Sequence, residues 1–422
     1  MNILITDAKS AEEHIHSLSR FGKKAGLSNI KTMLERLGNP HIGQKFVHVA
    51  GTNGKGSVSN MIKNILVSHG YKVGYYTSPY IEFFNERICI GQTPISDNDL
   101  VYYTNKVKDV CYGLNPIEFE FITAMAFLYF KDKNCDITVL EVGLGGRFDA
   151  TNIIETPLLN VITPIGYDHT AILGDTLEKI AFEKSGTIKE NSTVVISPSM
   201  ARECVRVIEN RCAETNSELV FPKNKPCDIT YKRESTEFVY DNEKYNLSLL
   251  GTYQVENAVL AIESAKALMK KIRICQDDIK SGLSSSRWKC RFEILGKNPP
   301  VIFDGAHNSH GIKALTESIR TYFPHENKVV LFSMLGEKDW EKSIDMLSDI
   351  ADTFVVTKVP SIRQSVPNEL FSRIGKNNGN AVLVEDPGEA LQKATHLAGE
   401  NGVVFVTGSL YLCGYLRKYV EN

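Results

Sequence analysis

A glycine-rich loop with a single lysine lies within the stretch "HVAGTNGKGSVSN", residues 48–60. The common phosphate-binding P-loop reads G-x-x-x-x-G-K-[ST], and the hydroxyl after the lysine reaches Mg²⁺. Here Val49 stands where that pattern needs its first glycine, and Gly56 follows Lys55. A hydroxyl, Ser57, comes one place later. The residues allow a broken P-loop, a different P-loop, or a glycine-rich turn that binds no nucleotide.

The segments around this loop favour phosphate binding. The apolar run "KFVHVA", residues 45–50, predicts a strand that enters the loop. Apolar residues then recur at helical spacing, which predicts an amphipathic helix after it. Strand, glycine turn, lysine and helix together aim backbone N–H groups and a helix N-terminus at an anion. A hydroxyl ligand for a metal would have to come from another segment.

A second candidate is "LEVGLGGRFDATN", residues 140–152. Glu141 interrupts an apolar strand, where a carboxylate is costly unless it is paired or metal-bound. It lies near the carboxyl end of that strand, where ligands bind in open α/β sheets. The glycines that follow let the backbone approach a ligand closely. A structural salt bridge is the alternative interpretation.

The third candidate is "ITPIGYDHTAILGDTLEKIAFEKSG", residues 162–186. His169 follows a predicted strand and is a candidate neighbour of metal or phosphate. A helix is predicted to begin near Thr176, with Lys184 in the middle of its apolar stripe and Lys179 on its polar side. A lysine in that position either extends its ammonium to water or is chemically modified and bound to a ligand.

Acidic residues also interrupt the aromatic stretch "IEFEFITAMAFLYF", residues 117–130. Glu120 lies between Phe119 and Phe121, where its carboxylate could hydrogen-bond a flat heterocycle. Glu118 lies two residues earlier. For Glu120, a carboxylate turned to solvent is the alternative interpretation.

The second half of the chain has polar residues after predicted strands. "RFE" contains Arg291, "FDGAHNSHG" contains Asp304 and His307, and "VTGSLYL" contains Ser409. Each signal alone is weak. Because the carboxyl ends of parallel strands meet at one edge, we expect these residues to line a cleft that faces the first half.

Two series of buried strands alternate with helices, which predicts an α/β fold. The first runs through "KVGYYTS", "DITVLEVGL", "LLNVITPI" and "TVVIS", and the second runs from "VIFDGAH" to "VVFVTGS". Between them, residues 217–250 alternate and predict a small antiparallel ribbon. With "LGKNPP" as linker, we expect a P-loop-type parallel-sheet domain with that ribbon at 1–295 and a smaller Rossmann-like α/β domain at 296–422.

The composition excludes several function classes. The formal net charge is −2, from 48 basic and 50 acidic side chains, which argues against nucleic-acid binding through a basic surface. No apolar run approaches the roughly 18 residues of a membrane span, and the first residues do not resemble a signal peptide. Nine cysteines without a C-x-x-C pair favour a reducing compartment. We therefore expect a cytoplasmic protein without nucleic-acid or membrane partners.

The order of these motifs resembles that of folylpolyglutamate synthases, including the bifunctional dihydrofolate synthase form, within the Mur ligase superfamily. The resemblance runs from about Arg20 to the C-terminus and rests on "GTNGKGS", "YYTSPYIEFFNERI", "EVGLGGRFDATN", "GYDHTAILGDTLEKIAFEKSG", "GTYQVENA", "RFE", "DGAHN" and "TGSLYL". The superfamily's phosphate loop reads G-T-x-G-K-G-[ST]. By this resemblance, "GTNGKGS" is an intact P-loop of a different type.

The resemblance implies a role for each matching residue. It implies ATP and two Mg²⁺ ions as cofactors, with Lys184 carbamylated. Lys55, Lys184, His169 and Asp304 would be catalytic, and the metal ligands would be Ser78, Glu141, His169 and Lys184. The nucleotide would contact Gly51, Thr52, Asn53, Gly54, Lys55, Gly56, Ser57, Asn257, Arg291 and Asp304. The acyl substrate would lie near Ile117, Glu118, Phe119, Glu120, Phe148, Asp149 and Ala150, and glutamate near His307 and Ser409.

The implied activity is ATP-dependent addition of L-glutamate to a folate carboxylate through an acyl phosphate, by a monomer acting on small molecules. Whether dihydropteroate is also accepted stays open, as do the preferred folate and the polyglutamate length. A cell-wall Mur ligase and a P-loop nucleotide switch or motor remain as alternatives. One departure concerns Arg291, because Lys289 and Cys290 replace the Pro-Gly that usually precedes "RFE" in the family.

Overall fold

The computed structural model describes residues 4–19, 26–336, 338–361, 366–377 and 380–420. The chain forms two compact units, one from residues 1–225 and 256–285 and the other from residues 226–255 and 286–422. The division predicted at residue 295 differs from this grouping, because residues 226–255 and 286–295 cluster with the second unit. Within the described residues, no helix is long and apolar enough to cross a membrane.

The first unit is built on a mixed eight-stranded sheet of order β4-β3-β2-β5-β1-β6-β7-β8. β2, β5, β1, β6, β7 and β8 run parallel, while β3 pairs antiparallel with both β2 and β4. The strands are β1 (Phe46–Ala50), β2 (Val73–Tyr76), β3 (Ile88–Ile90), β4 (Thr93–Pro94), β5 (Ile137–Glu141), β6 (Leu159–Ile162), β7 (Thr193–Ile196) and β8 (Glu218–Val220).

Helices cover both faces of this sheet, which explains why its inner strands are apolar without alternation. They are α1 (Ala8–Ser17), α2 (Ser28–Arg36), α3 (Lys55–Ser68), α4 (Asp97–Val110), α5 (Glu118–Asp132), α6 (Thr170–Leu173), α7 (Leu177–Ser185), α8 (Arg202–Glu214), α9 (Tyr253–Met269, which starts in the second unit) and α10 (Gln276–Ser285). Short 3₁₀ helices span Phe84–Arg87 and Ala150–Ile153.

The register of the central strands places the candidate residues at one edge. Val49 pairs with Glu141 across β1 and β5, and Ala50 pairs with Ile162 across β1 and β6. The glycine loop, Glu141 and the segment after β6 therefore begin at the same carboxyl edge. The parallel strands predicted for β1, β2, β5, β6 and β7 are confirmed.

The prediction for residues 217–250 is partly wrong. "ELVF" does not belong to the antiparallel ribbon, because β8 pairs parallel with β7 as an edge strand of the large sheet. An edge strand is half exposed, so its polar–apolar pattern imitates that of a ribbon. The remaining residues form an antiparallel sheet of order β11-β10-β9, with β9 (Cys227–Tyr231), β10 (Thr236–Tyr240) and β11 (Glu243–Leu247).

The second unit also contains a six-stranded sheet of order β12-β13-β17-β14-β15-β16. All pairs are parallel except β12 with β13. The strands are β12 (Glu293–Leu295), β13 (Val301–Phe303), β14 (Asn327–Phe332), β15 (Thr353–Val356), β16 (Ala381–Leu383) and β17 (Gly402–Thr407). The helices are α11 (Ser309–Tyr322), α12 (Trp340–Ser348), α13 (Pro367–Asn377), α14 (Pro387–Ala398) and α15 (Leu410–Arg417).

Contacts within the second unit explain why the small sheet groups with it. The hydroxyls of Thr236 in β10 and Tyr322 in α11 are 2.8 Å apart, and Arg233 pairs with Glu326 at 2.7 Å. The expected linker, residues 295–300, connects the antiparallel pair β12 and β13. The second series of strands was predicted correctly, whereas β12 was not anticipated.

Candidate active site

The glycine loop takes a backbone form that only glycine adopts readily. Gly51 and Gly54 have φ values of 146° and 84°, in the region that favours glycine. A Cβ on Gly51 would lie 1.8 Å from the Thr163 Oγ1, and one on Gly54 would lie 2.6 Å from the Asn257 Oδ1. Gly54 caps α3, which begins at Lys55. The loop therefore presents a helix N-terminus at the carboxyl end of β1, with the buried Asn257 packed against it.

Hydrogen bonds fix this loop to the segment after β6. The amides of Thr52 and Asn53 donate to the Pro164 carbonyl at 3.0 and 3.3 Å, and the Thr52 hydroxyl donates to the Gly166 carbonyl at 3.1 Å. The ammonium of Lys55 donates to the Thr52 carbonyl at 3.3 Å. Gly56 and Ser57 follow in the first turn of α3 and are buried. This is a rigid frame of the kind that phosphate groups occupy.

Lys184 lies against the same loop. It is 4% exposed, and its ammonium donates to the Gly51 carbonyl at 2.7 Å. The pKa of Lys184 is lowered to about 7, first by burial and second by the positive charge of Lys55, while Asp168 and Asp149 oppose that shift. The helix α7 starts after Thr176, as predicted. Extension of the Lys184 ammonium to water is therefore excluded.

The surface lysine of α7 behaves as predicted too. Lys179 pairs with Asp175 at 2.7 Å, and both side chains are largely exposed. Two lysines five residues apart on one helix thus have opposite environments. The difference agrees with the apolar stripe, and it singles out Lys184 as a chemically distinct group.

Glu141 and Ser78 come together at the ends of β5 and β2. Glu141 is 4% exposed, and its Oε2 accepts hydrogen bonds from the Thr77 hydroxyl and, at 3.3 Å, from the Ser78 amide. Thr77 was missed by sequence reasoning, although it directly precedes Ser78. Carboxylate and hydroxyl groups supply the oxygen ligands that Mg²⁺ prefers, so the buried Glu141 and the adjoining Ser78 fit a magnesium ion by residue type.

His169 follows β6 in a left-handed conformation, with φ of 50°, and caps the short helix α6. Its backbone amide donates to the Asp168 carboxylate at 2.9 Å, and its side chain is 40% exposed. Within the described ranges, no three His, Cys, Asp or Glu side chains form a cluster able to hold a metal. The expected ligand set includes a serine and a lysine, so a place for His169 in it stays a prediction.

Asp149 organises the loop that follows Glu141. It is 6% exposed, and it accepts hydrogen bonds from the amides of Gly143, Leu144 and Thr151 at 2.9–3.0 Å and from the Thr151 hydroxyl. Burial raises the pKa of Asp149 despite these donors. Its carboxylate therefore shapes the loop, a role that sequence reasoning missed. Direct contact of Asp149 with the acyl substrate stays a prediction.

The two residues that flank Asp149 differ in solvent exposure. Phe148 is 44% exposed, whereas Ala150 is buried at the start of a 3₁₀ helix. On the facing side, the half-buried Phe119 lies so close to Gly143 that a Cβ there would be 2.6 Å from the ring. The predicted acyl-substrate residues on both segments therefore meet at the carboxyl end of β5.

The acidic residues at the start of α5 are both buried, so the solvent-facing alternative for Glu120 is wrong. Glu118 pairs with Arg87 at 3.0 Å. Glu120 accepts hydrogen bonds from the Ile117 amide at 2.9 Å and from Asn29 at 3.2 Å, which caps the helix N-terminus. Contact of these residues with a heterocycle stays a prediction.

In the second unit, Asp304 holds the "RFE" segment. Its Oδ2 accepts hydrogen bonds from the Tyr253 hydroxyl at 2.6 Å and from the Phe292 amide at 2.9 Å, and its Oδ1 accepts one from the Ala306 amide at 2.9 Å. Burial raises the pKa of Asp304, and the charge of Arg291 opposes that shift. Tyr253 was missed as part of this site.

The remaining residues of the second unit meet as predicted at the edge of β13 and β17. The Nδ1 of His307 is 2.8 Å from the Gly305 carbonyl. Ser409 follows β17, caps α15 and is buried. The Gly408 amide donates to the Ala306 carbonyl at 3.0 Å, so the loops that carry His307 and Ser409 touch.

Cys290, which stands where the family usually has glycine before "RFE", adopts a backbone conformation that favours glycine. Cys290 has a φ of 55° and Phe292 a φ of 48°, on either side of Arg291. Each non-glycine residue in this region costs about 1 kcal/mol. The burial of Cys290 and Phe292, and the hydrogen bonds of their amides to Glu293 and Asp304, offset this cost.

Comparisons with known proteins match both halves of this arrangement. The family models that match are "Mur ligase middle domain" at residues 49–265 and "Mur ligase, glutamate ligase domain" at residues 290–410. The dihydrofolate synthase/folylpolyglutamate synthase of Bacillus subtilis (strain 168) is 37% identical over 99% of this chain and 100% of its own length.

Solved structures agree. Mycobacterium tuberculosis folylpolyglutamate synthase complexed with ADP is 27% identical, with a TM-score of 0.90 over 98% of both chains. E. coli FolC in complex with DHPP and ADP is 26% identical, with a TM-score of 0.88 over 99% of both chains. With motifs, fold and near-complete coverage in agreement, the chain belongs to the folylpolyglutamate synthase and dihydrofolate synthase family of the Mur ligases.

Proposed function

We propose that this protein is an ATP-dependent ligase that adds L-glutamate to a folate carboxylate. The observation that carries this proposal is the glycine loop of the family, with the buried Lys184 held 2.7 Å from its Gly51 carbonyl. The relative from Bacillus subtilis bears the name of both folate ligase activities. The substrates are small molecules, and the enzyme acts as a monomer.

The chemistry follows from the weakness of a carboxylate as an electrophile. Transfer of the γ-phosphoryl group of ATP to the folate carboxylate gives an acyl phosphate and ADP. The amine of glutamate then attacks the acyl carbon, loses a proton, and displaces inorganic phosphate as the amide forms. Lys55 and the amides of the loop bind the phosphates and orient the transferred group, so catalysis is mostly positioning and charge stabilisation.

Nucleotide binding extends from the loop to other segments in this proposal. The loop residues 51–57 contact the phosphates, and Asn257 lies against Gly54 in the first unit. Arg291 and Asp304 are assigned to ATP as well. Because three protein donors occupy the Asp304 carboxylate, we expect it to act mainly by holding the backbone beside Arg291.

Magnesium supplies charge neutralisation at the phosphates when it is bound. Ser78, Glu141 and His169 would be its ligands, and a carbamylated Lys184 would support a second ion. A lysine with a pKa lowered to about 7 is largely neutral at slightly alkaline pH. Its amine can add CO₂ and release a proton, which gives a carbamate with two oxygen ligands. The burial of Lys184 supports this assignment.

The acyl substrate is assigned to residues 117–120 and 148–150, and glutamate to His307 and Ser409. Loops from several strands contribute to each substrate, which is usual where a ligand binds at a sheet edge.

The proposed domains are an ATP-binding ligase domain at 1–295 and a glutamate-ligase domain at 296–422.

Phosphate release from ATP tests the activity. We expect phosphate release to require both a reduced folate and L-glutamate, and the product to be the folate extended by one glutamate. Equal ATP hydrolysis without either substrate would contradict the proposal and favour a nucleotide switch or motor. Activity only with a uridine-nucleotide substrate would instead favour a cell-wall Mur ligase.

A second activity, glutamylation of dihydropteroate to dihydrofolate, is favoured by the double name of the Bacillus subtilis relative and by the DHPP complex of E. coli FolC. The same assay with dihydropteroate as the acyl substrate tests it. Formation of dihydrofolate would make the enzyme bifunctional. Phosphate release with glutamate and tetrahydrofolate, but not with glutamate and dihydropteroate, would restrict the enzyme to polyglutamylation.

Glu141→Gln should shift the magnesium requirement. The amide keeps the shape of the side chain but removes the charge that attracts the cation, so we expect the Mg²⁺ concentration for half-maximal activity to rise at least about tenfold. A magnesium titration of the initial rate measures this change. Glu155→Gln, at an exposed position, is the matched control and should give the magnesium titration of the wild type. An unchanged titration in Glu141→Gln would return Glu141 to a structural role.

His307→Ala and Ser409→Ala should mainly raise the KM for glutamate. Loss of contacts that bind the ground state and the transition state equally appears in KM rather than in kcat. Initial rates over a range of glutamate concentrations, with ATP and folate saturating, measure the effect. His310→Ala, at an exposed position on α11, should behave as the wild type. Effects confined to the KM for ATP would show that the two residues are assigned to the wrong substrate.

A further inference from the structure

Arg147 joins the loop after β5 to α7, the helix that carries Lys184. Its backbone amide donates to the Glu183 carbonyl at 2.8 Å. Its guanidinium binds both oxygens of the Glu183 carboxylate, with Nη2–Oε1 and Nε–Oε2 distances of 2.7 and 3.4 Å. One residue thus contacts both the backbone and the side chain of the position directly before Lys184.

Close backbone contacts surround this ion pair. A Cβ on Gly146 would lie 2.8 Å from the carbonyl oxygens of both Glu183 and Lys184, and one on Gly186 would lie 2.5 Å from the Cβ of Arg147. The side-chain amide of Asn152 donates at 3.0 Å to the backbone carbonyls of Arg147 and Gly186. The loop is therefore attached to α7 on both sides of Lys184.

Two aromatic rings hold the guanidinium in place. Its carbon lies 4.4 Å from the centre of the Phe148 ring and 5.0 Å from that of Phe182. Arginine stacks on aromatic rings and binds a carboxylate through two nitrogens, which restricts its side chain far more than a single contact would. Such a restricted pair is worth more than an ordinary surface ion pair, which contributes little.

We propose that Arg147 is a positioning residue that fixes Lys184 against the phosphate loop. This inference rests on the proposed function, because it gives Lys184 its place in the phosphoryl transfer. Glu183 is the partner through which Arg147 acts. If the pair is broken, the last turn of α7 keeps its backbone contacts with the loop but loses its side-chain attachment, and the Lys184 nitrogen is no longer held firmly at 2.7 Å from the Gly51 carbonyl. A misplacement of about 1 Å at a reacting group can cost about 100-fold in rate.

The test compares Arg147→Lys, Glu183→Gln and the double variant with the wild type. Lysine keeps the charge but loses the paired nitrogens and the stacking, and glutamine keeps the shape of glutamate. We expect kcat to fall at least about tenfold in each single variant, with little change in the KM for ATP. The double variant should be no worse than the poorer single variant, because both remove one interaction. Asp175→Asn is the matched control, since it breaks an exposed ion pair of the same helix.

A second measurement does not depend on turnover. ¹³C-NMR of protein equilibrated with ¹³C-bicarbonate reports the lysine carbamate, and we expect its signal to weaken in Arg147→Lys and Glu183→Gln but not in Asp175→Asn. Unchanged kcat and unchanged carbamate signal would overturn the inference. The inference would also be overturned if the losses of kcat in the two single variants add in the double variant and match the fraction of protein that a thermal melt shows to be unfolded.

Failure of the proposed function would look different. A wild-type protein that does not ligate glutamate to any folate would refute the function, whatever the variants do. A wild type that ligates glutamate, together with variants of normal kcat and normal carbamate signal, would refute the role of Arg147 alone.

Discussion

Lys184→Arg should give a folded enzyme whose ligation rate is at least about 100-fold below that of the wild type. Arginine keeps a positive charge and a long side chain, but its guanidinium stays protonated and cannot add CO₂. The variant would place a fixed cation where an anionic carbamate is proposed. Electrostatic groups at a site of charge development are typically worth 10²–10³ in rate, which sets the expected loss. Initial rates with saturating folate, glutamate and ATP measure it.

A companion variant separates lost chemistry from lost packing. Lys184→Ala leaves space beside the Gly51 carbonyl, so a small carboxylate such as acetate or formate should restore part of the activity by taking the place of the carbamate. Lys179→Ala, on the exposed side of α7, should retain normal activity and show no response to acetate. Full activity in Lys184→Arg would contradict the carbamate.

Lys55→Ala should abolish ligation while leaving the fold intact. The side chain of Lys55 is half-buried and is not part of a hydrophobic core. Within the loop, its ammonium donates to the Thr52 carbonyl. Removing it takes away a charge from the phosphates of ATP, at the point where the transferred group must be held in line. We expect a loss of at least about 100-fold in kcat and an unchanged circular dichroism spectrum.

Lys45→Ala is the control for that experiment, because Lys45 is exposed just before β1 and lies outside the loop. It should ligate glutamate at the wild-type rate. Near-normal turnover in a folded Lys55→Ala protein would refute the assignment of residues 51–57 to the phosphates.

The fold was predictable where buried strands leave an unbroken apolar pattern. The strands that flank the glycine loop were predicted correctly because helices cover both faces of the large sheet, so no polar alternation obscures them. Lys184 was found for a related reason: a charged residue on an apolar helical stripe has few explanations. β8 was assigned to the wrong sheet, since an exposed edge strand has the same pattern in either.

The acidic residues of the site were harder to interpret. Asp149 and Asp304 each follow a strand, where a carboxylate that binds a ligand and one that binds backbone amides look the same in a sequence. Their donors come from residues that only the folded loop brings together, such as Gly143 for Asp149 and Tyr253 for Asp304. Cys290 could not be recognised as glycine-like either, because its positive φ has no signature in the residue type.

The edges of the large sheet have a consequence for self-association. One edge strand, β4, has two residues and ends in Pro94, which has no N–H to donate. The other, β8, has three residues, and its exposed Glu218 binds Lys270 at 3.0 Å. Short edges that carry proline and charge are poor templates for an added strand. A partly unfolded chain would therefore find little at the edges of this sheet to pair with, which should limit aggregation by extension of the large sheet at high concentration.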